Sequence, residues 1–159
     1  MGDFSDKPTL HGERIVLRPV AESDAEGLAD LVADPEGRRL TGEYAGEIVL
    51  NKLDRPNRSC ALRIALRRDY RDRGLGGEAV RLVLAHAFGT VGLHRVELEV
   101  YAFNARAQAV YERAGFVREG VRRDALYWDG EYTDAITMAI LAPDWHASHG
   151  GDPRSERTR

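Results

Sequence analysis

The sequence predicts one α/β (α+β) layer domain on a mixed sheet. Three observations carry that prediction. The periodicities run strand, helix, strand, strand, helix, strand, helix, strand, strand, an alternation that calls for helices packed on a sheet. At 159 residues and 43% apolar content, the chain suits a single domain with a buried core. A basic, glycine-rich turn, Arg71-Asp-Arg-Gly-Leu-Gly-Gly77, lies between a strand-like run, Arg63 to Leu66, and a helix-like run, Glu78 to Phe88.

The elements follow in order. Residues 1–9 are polar and expected to be loose. Glu13 to Val20 alternates as a strand, with Pro19 near its end. Ser23-Asp-Ala-Glu26 reads as a capping box opening a helix whose apolar face is Leu28, Leu31 and Val32, ending near Asp34-Pro35. Glu36 to Tyr44 is turn-like, Ala45 to Leu53 a strand, Asp54 to Arg58 a turn and Ser59 to Leu66 a strand. The next helix shows Val80, Val83, Leu84 and Ala87 at helical spacing, and Gly89 to Gly92 is expected to break it. His94 to Val100 alternates, with Val96, Leu98 and Val100 on one face and Glu97 and Glu99 on the other. Asn104 is the expected N-cap of a helix reaching Ala114, with Gly115 at C′. Val117 to Trp128 and Tyr132 to Leu141 form a hairpin around Asp129-Gly130. Past Pro143 the chain turns polar, which predicts a disordered tail over 146–159 and a domain over 10–145.

Composition narrows the function classes. A formal charge of −3 gives no reason to expect nucleic acid as a partner. The charge is uneven: Arg55, Arg58, Arg63, Arg67, Arg68, Arg71 and Arg73 face only Asp69 and Asp72 across residues 55–73. That excess is either a solvated face or a phosphate contact. The one cysteine, Cys60, allows no internal disulfide and fits a reducing compartment. No apolar stretch nears the roughly 18 residues of a membrane span, and no signal peptide is apparent, so the expectation is a cytoplasmic protein without membrane partners. The five histidines show no metal spacing, so no metal is expected.

The glycine turn is an anion-binding pattern, since glycines bare the backbone amides and a helix N-terminus follows. It is not a Walker A loop, because Gly76-Gly-Glu78 supplies neither lysine nor hydroxyl. Gly74-x-Gly76-x-x-Ala79 formally matches the dinucleotide fingerprint, with Glu97 and Glu99 downstream. Yet seven residues separate Leu66 from Gly74, where a Rossmann turn leaves its strand directly. A plain turn needing glycine for geometry alone is the remaining alternative.

Arg71-x-x-Gly74-x-Gly76, between a strand and a helix, resembles the acetyl-CoA pyrophosphate loop of the GNAT superfamily of N-acetyltransferases. Leu93 to Phe116 is similar to that family's next strand, crossing loop and helix, closing on Gly115-Phe116. Glu119 to Gly130 is similar to the final hairpin of its ribosomal-protein N-terminal acetyltransferase (RimJ/RimL-like) branch. The resemblance implies a mostly antiparallel sheet flanked by helices, with a splayed strand pair for acetyl-CoA. It implies that acetyl passes from acetyl-CoA, a co-substrate, to a primary amine on a protein N-terminus or a small molecule by direct attack.

The resemblance also implies roles. Arg71, Asp72, Arg73, Gly74, Leu75, Gly76 and Gly77 would hold the pyrophosphate. Ile64, Ala65 and Leu66 would pair with the pantetheine arm as an added strand. Asn104 matches a pantetheine contact and is equally a plain helix cap. Tyr111 matches the general acid for the leaving thiolate and is equally a packed aromatic. The strand Ser59 to Leu66 carries no carboxylate where many relatives place their base. Glu99 and Glu97 are the nearest candidates, and a pair of solvent-facing or salt-bridged carboxylates is the stronger reading. Cys60 as a ping-pong nucleophile is disfavoured, with no histidine nearby in sequence. Between 35 and 45 the chain is shorter than the family pattern, which normally holds a helix and strand walling the acceptor side. A shortened sheet would leave apolar surface for a partner chain, a homodimer being one form. Two other classes stay open: a catalytically silent CoA-binding module and a dinucleotide-dependent oxidoreductase fragment.

Overall fold

A computed structural model describes residues 2–25 and 44–149. Two short strands, β1 (Leu10–His11) and β2 (Val16–Leu17), pair antiparallel, and a 3-10 turn follows at Glu22–Asp24. The main sheet has the order β3-β4-β5-β7-β6. Its strands are β3 (Gly46–Asp54), β4 (Ser59–Leu66), β5 (Arg95–Tyr101), β6 (Val117–Trp128) and β7 (Glu131–Leu141). Helix α1 (Leu75–Ala85) crosses from β4 to β5, α2 (Ala105–Arg113) from β5 to β6, and α3 (Ala142–His149) follows β7. Among the described residues only the β4–β5 contact is parallel, and every other neighbour pair is antiparallel.

Period-two patterning sets the two faces of the sheet. Cys60, Leu62, Val96, Leu98, Val100, Ile136, Met138 and Ile140 turn to one face and join the core. Val80, Val83 and Leu84 of α1 and Tyr111 of α2 close over them. The opposite face carries charge. Arg63 bonds Glu47, Arg95 bonds Glu97 and Glu119, and Arg122 bonds Glu99.

Several elements depart from expectation. The first strand shrinks from Glu13–Val20 to Val16–Leu17, because residues 13–14 belong to a turn docked on α1. At the 3-10 turn Glu22–Asp24, the Asp24 carboxylate accepts the Ala21 N–H at 2.8 Å and two bonds from Arg18. Glu26, the helix bearing Leu28, Leu31 and Val32, and most of the 35–45 interval lie outside the described residues. Helix α1 starts at Leu75, three residues before Glu78, so Gly76 and Gly77 are helical. It is not broken at Gly89: a π-helical stretch, His86–Val91, carries Ala87, Phe88 and Val91 into the core and stops at Gly92, whose φ is +78°. Of the tail expected to be disordered over 146–159, residues 146–149 continue a helix, and 150–159 lie outside the described residues. Pro143 sits in the first turn, where its missing N–H costs nothing, and Trp145 is buried with its ring 6.0 Å from Phe88. Near the other end, residues 2–9 form no regular element, yet Gly2 N–H donates to Val91 O at 2.6 Å and Phe4 packs on the core.

Candidate functional site

Strands β4 and β5 pair over only three positions, Ser59–Arg95, Cys60–Val96 and Ala61–Glu97. Beyond Ala61 they diverge, although β4 continues to Leu66 and β5 to Tyr101. The sheet is therefore open in its middle. Backbone groups of Ile64 and Leu66 that face β5 have no strand partner there, and unpaired main-chain groups need another one. One is taken: Leu66 O accepts Arg71 Nε at 3.0 Å. Ile64, Ala65 and Leu66 all lie in the open segment, and an extended chain with its own amides fits such an edge.

The loop after β4 leads to a bare helix head. Arg67, itself buried, donates its N–H to Ala45 O at 2.9 Å. A 3-10 turn, Arg68–Tyr70, follows. Asp72 and Gly74 take φ of +63° and +74°. The left-handed conformation at Gly74 suits glycine and swings the chain into α1. No side chain among the described residues caps that helix, and its first internal bond is Glu78 N–H to Gly74 O at 3.2 Å. The amides of Leu75, Gly76 and Gly77 precede that bond and have no helical acceptor. With the positive end of the helix dipole they can hold an anion. Gly76 also permits close packing, since a Cβ there would lie 3.2 Å from Leu66 Cδ1.

Two arms fix the loop, and sequence reasoning missed both. Arg14, in the β1–β2 turn, donates N–H to Glu78 Oε1 at 2.9 Å, Nε to Glu78 Oε2 at 3.0 Å and Nη1 to Arg73 O at 2.5 Å. Arg106, in the first turn of α2, bonds Asp72. The Arg14 backbone N–H, with its guanidinium, holds the Glu78 carboxyl below the usual carboxylate range against the opposing pull of burial. Arg14 and Glu78 stand 64 residues apart, and no local spacing signals their meeting. Arg73 lies over the Tyr70 ring at 5.8 Å.

The remaining candidates fall on either side of β5. Asn104 caps α2, its Oδ1 accepting the Ala107 N–H at 3.1 Å, which leaves its amide NH2 uncommitted by that bond. Tyr111 is 8% exposed and meets Phe116 edge-on at 5.9 Å. Its phenol makes no hydrogen bond among the described residues, and burial pushes its pKa up, so it stays protonated at neutral pH. Glu99 sits on the opposite face, its carboxylate held by Arg122 at 2.6 and 2.7 Å. Glu97 is likewise held by Arg95. The fold thus does not bring Glu99 and Tyr111 to one face. Burial pushes the Cys60 thiol up to about 12, so it is no nucleophile at neutral pH. Among the described residues no group of histidine, cysteine and carboxylates is arranged to hold a metal, and no helix is long and apolar enough to cross a membrane.

Residues 37–117, half of the chain, match a family profile described as an acetyltransferase (GNAT) domain. YdaF of Bacillus subtilis, which carries the name of a ribosomal N-acetyltransferase, is 32% identical over 74% of this chain and 64% of its own. The spermidine N(1)-acetyltransferase of Escherichia coli K12 is 29% identical over 68% of this chain and 58% of its own. The chain therefore spans about three fifths of the length of these relatives. A solved acetyltransferase structure superposes with a TM-score of 0.73 over 91% of this chain and 92% of that one, at 22% identity, which speaks for the fold. The open strand pair, the uncapped helix head and the matching profile agree: the chain belongs to the GNAT acetyltransferase family.

Proposed function

We propose that the protein is an acetyl-CoA-dependent N-acetyltransferase acting on a primary amine, a protein N-terminus first and a small-molecule amine second. The observation that carries this is the β4–β5 opening leading to three unshared amides at Leu75, Gly76 and Gly77. A diphosphate suits those amides, with Arg71 and Arg73 beside it. The pantetheine arm suits the open edge at Ile64, Ala65 and Leu66, with Asn104 across the gap. These residues bind and align the thioester; they make the attack effectively unimolecular.

In the transfer itself, the amine nitrogen bonds to the acetyl carbon and the carbon–sulfur bond breaks. The sulfur leaves as thiolate and takes the phenolic proton of Tyr111. A main-chain N–H in the open part of β4 would donate to the carbonyl oxygen as charge builds. The amine's surplus proton leaves through water toward Glu99, or directly to solvent. Tyr111 suits its part because burial keeps it protonated. Glu99 suits its part less well, because Arg122 occupies both oxygens.

That occupied carboxylate favours one second reading, a CoA-binding module without turnover. Release of free CoA thiol across a panel of N-terminal peptides and small amines, with Tyr111→Phe and Glu99→Gln alongside, separates the two. Thiol release with some amine supports the enzyme; tight acetyl-CoA binding without release over the whole panel supports the module. A cytoplasmic location belongs to the same proposal. So does a homodimer: Phe103, Tyr127, Trp128 and Tyr132 are exposed together near the β6–β7 turn, and sedimentation would show whether a second chain covers them.

A further inference from the structure

We infer that Arg14, remote in sequence from the glycine loop, is a positioning residue for the anion site. It fixes the Arg73–Gly74 peptide in one orientation and neutralises Glu78 at the head of α1. The inference rests on the reading that the diphosphate of CoA binds there.

The geometry has three parts. First, the β1–β2 turn is built to approach α1 closely. It closes with Gly12 N–H to Ile15 O at 2.9 Å, and a Cβ on Gly12 would run into Glu78 Oε1 and Leu82 Cδ1. A side chain there would have to push the Glu78 carboxylate and the Leu82 methyl aside.

Second, Arg14 Nη1 takes the carbonyl of Arg73. In a trans peptide the C=O and the following N–H point in opposite directions. The Gly74 N–H is therefore aimed away from Arg14. Gly74, at φ +74°, is the residue where this peptide could most easily turn over. The guanidinium also lies against the bare face of Gly74, with Nη2 3.1 Å from where a Cβ would stand. Arg14 thus locks the hinge of the loop.

Third, Glu78 lies in the first turn of α1. A carboxylate there favours the helix but repels an arriving phosphate. Arg14 engages both of its oxygens, one through the backbone N–H and one through Nε. Removing Arg14 frees the peptide hinge and leaves a negative charge beside the anion site. The Arg106–Asp72 bridge on the other side is exposed on both partners and contributes less.

Calorimetric titration of CoA and dephospho-CoA into the wild type, Arg14→Lys, Arg14→Ala and the double variant Arg14→Ala/Glu78→Gln tests this, with thermal melts to confirm that each variant is folded. Arg14→Ala should weaken both ligands by the same factor, about tenfold or more. Arg14→Lys should fall between, and the double variant should regain part of the loss. With acetyl-CoA varied at saturating amine, the single variants should show a raised KM for acetyl-CoA with kcat little changed. Unchanged affinity in folded Arg14→Ala overturns the inference. So does a loss confined to CoA, which would make Arg14 a direct ligand of the 3′-phosphate, and so does a double variant no better than the single. A wild type that ignores both ligands overturns the proposed function instead, and is distinguishable because no variant is then needed.

Discussion

Strand β5 has two neighbours and joins them differently. With β7 it pairs at seven positions, Arg95–Leu141 through Tyr101–Ala135. With β4 it pairs at three and then parts. Both edges belong to one strand with one alternation, so its side chains do not explain the difference. The chain beyond β4 does. After Leu66 the backbone is drawn off by Arg67 to Ala45 O and by Arg71 to Leu66 O, and the loop is tied to the β1–β2 turn and to α2. On the other edge a tight hairpin lays β7 beside β6, with two bulges, and β7 runs in unbroken register along β5. The closed edge is where the sheet earns its stability; the open edge leaves backbone groups for something else to meet.

The comparison can be broken at either edge, and the expected effects descend in size. On the open side, Tyr111→Phe should lower turnover at least about tenfold while leaving acetyl-CoA affinity unchanged, as measured by thiol release and calorimetry. Unchanged turnover would return Tyr111 to a packing role. On the closed side, Leu98→Ala removes a buried side chain and should cost about 2–5 kcal/mol in urea melts. The half-buried Leu66, at the open end, should lose far less stability on the same change and lose CoA affinity instead.

Glycines sharpen the contrast at the loop. Gly74→Ala puts a side chain at φ +74°, which costs about 1–2 kcal/mol and should weaken CoA binding, because the peptide that presents the loop amides must shift. Gly77→Ala should do neither. Its Cβ would meet only ordinary contacts, 3.4 Å from Arg81 and 3.9 Å from Val110, between α1 and α2. A stability gain of up to about 1 kcal/mol with CoA affinity intact is expected.

The smallest expected effect is in pH. Glu78 titrates below its unfolded value, so its contribution to stability is complete above about pH 4.3 and is lost as pH falls through its folded value. Thermal melts between pH 7 and 3 should decline less steeply in Arg14→Ala than in the wild type.

What could be read from the chain was local. The Ser59–Leu66 strand, the alternation of β5, the Asn104 cap and the hairpin around Asp129-Gly130 each sit within a few residues of their cause. The glycine loop was legible for the same reason. What could not be read depended on distant partners. Arg14 meets Glu78 only because a two-residue hairpin folds onto α1. Asp24 is buried at the 3-10 turn because Arg18, six residues earlier, comes round to hold both its oxygens. α3 was missed because its polar composition hides one buried ring, Trp145, whose pocket includes Phe88 from elsewhere in the chain. The ion pairing of Glu99 was anticipated as an alternative, but its partner Arg122, across β7, was not.

The most direct measurement is backbone amide hydrogen exchange with and without CoA. The account predicts that CoA slows exchange in two places together, the helix head at Leu75 to Gly77 and the open-edge amides of Ile64 and Leu66, while the β5–β7 ladder is unchanged. Slowing elsewhere, or none at saturating CoA, would contradict it.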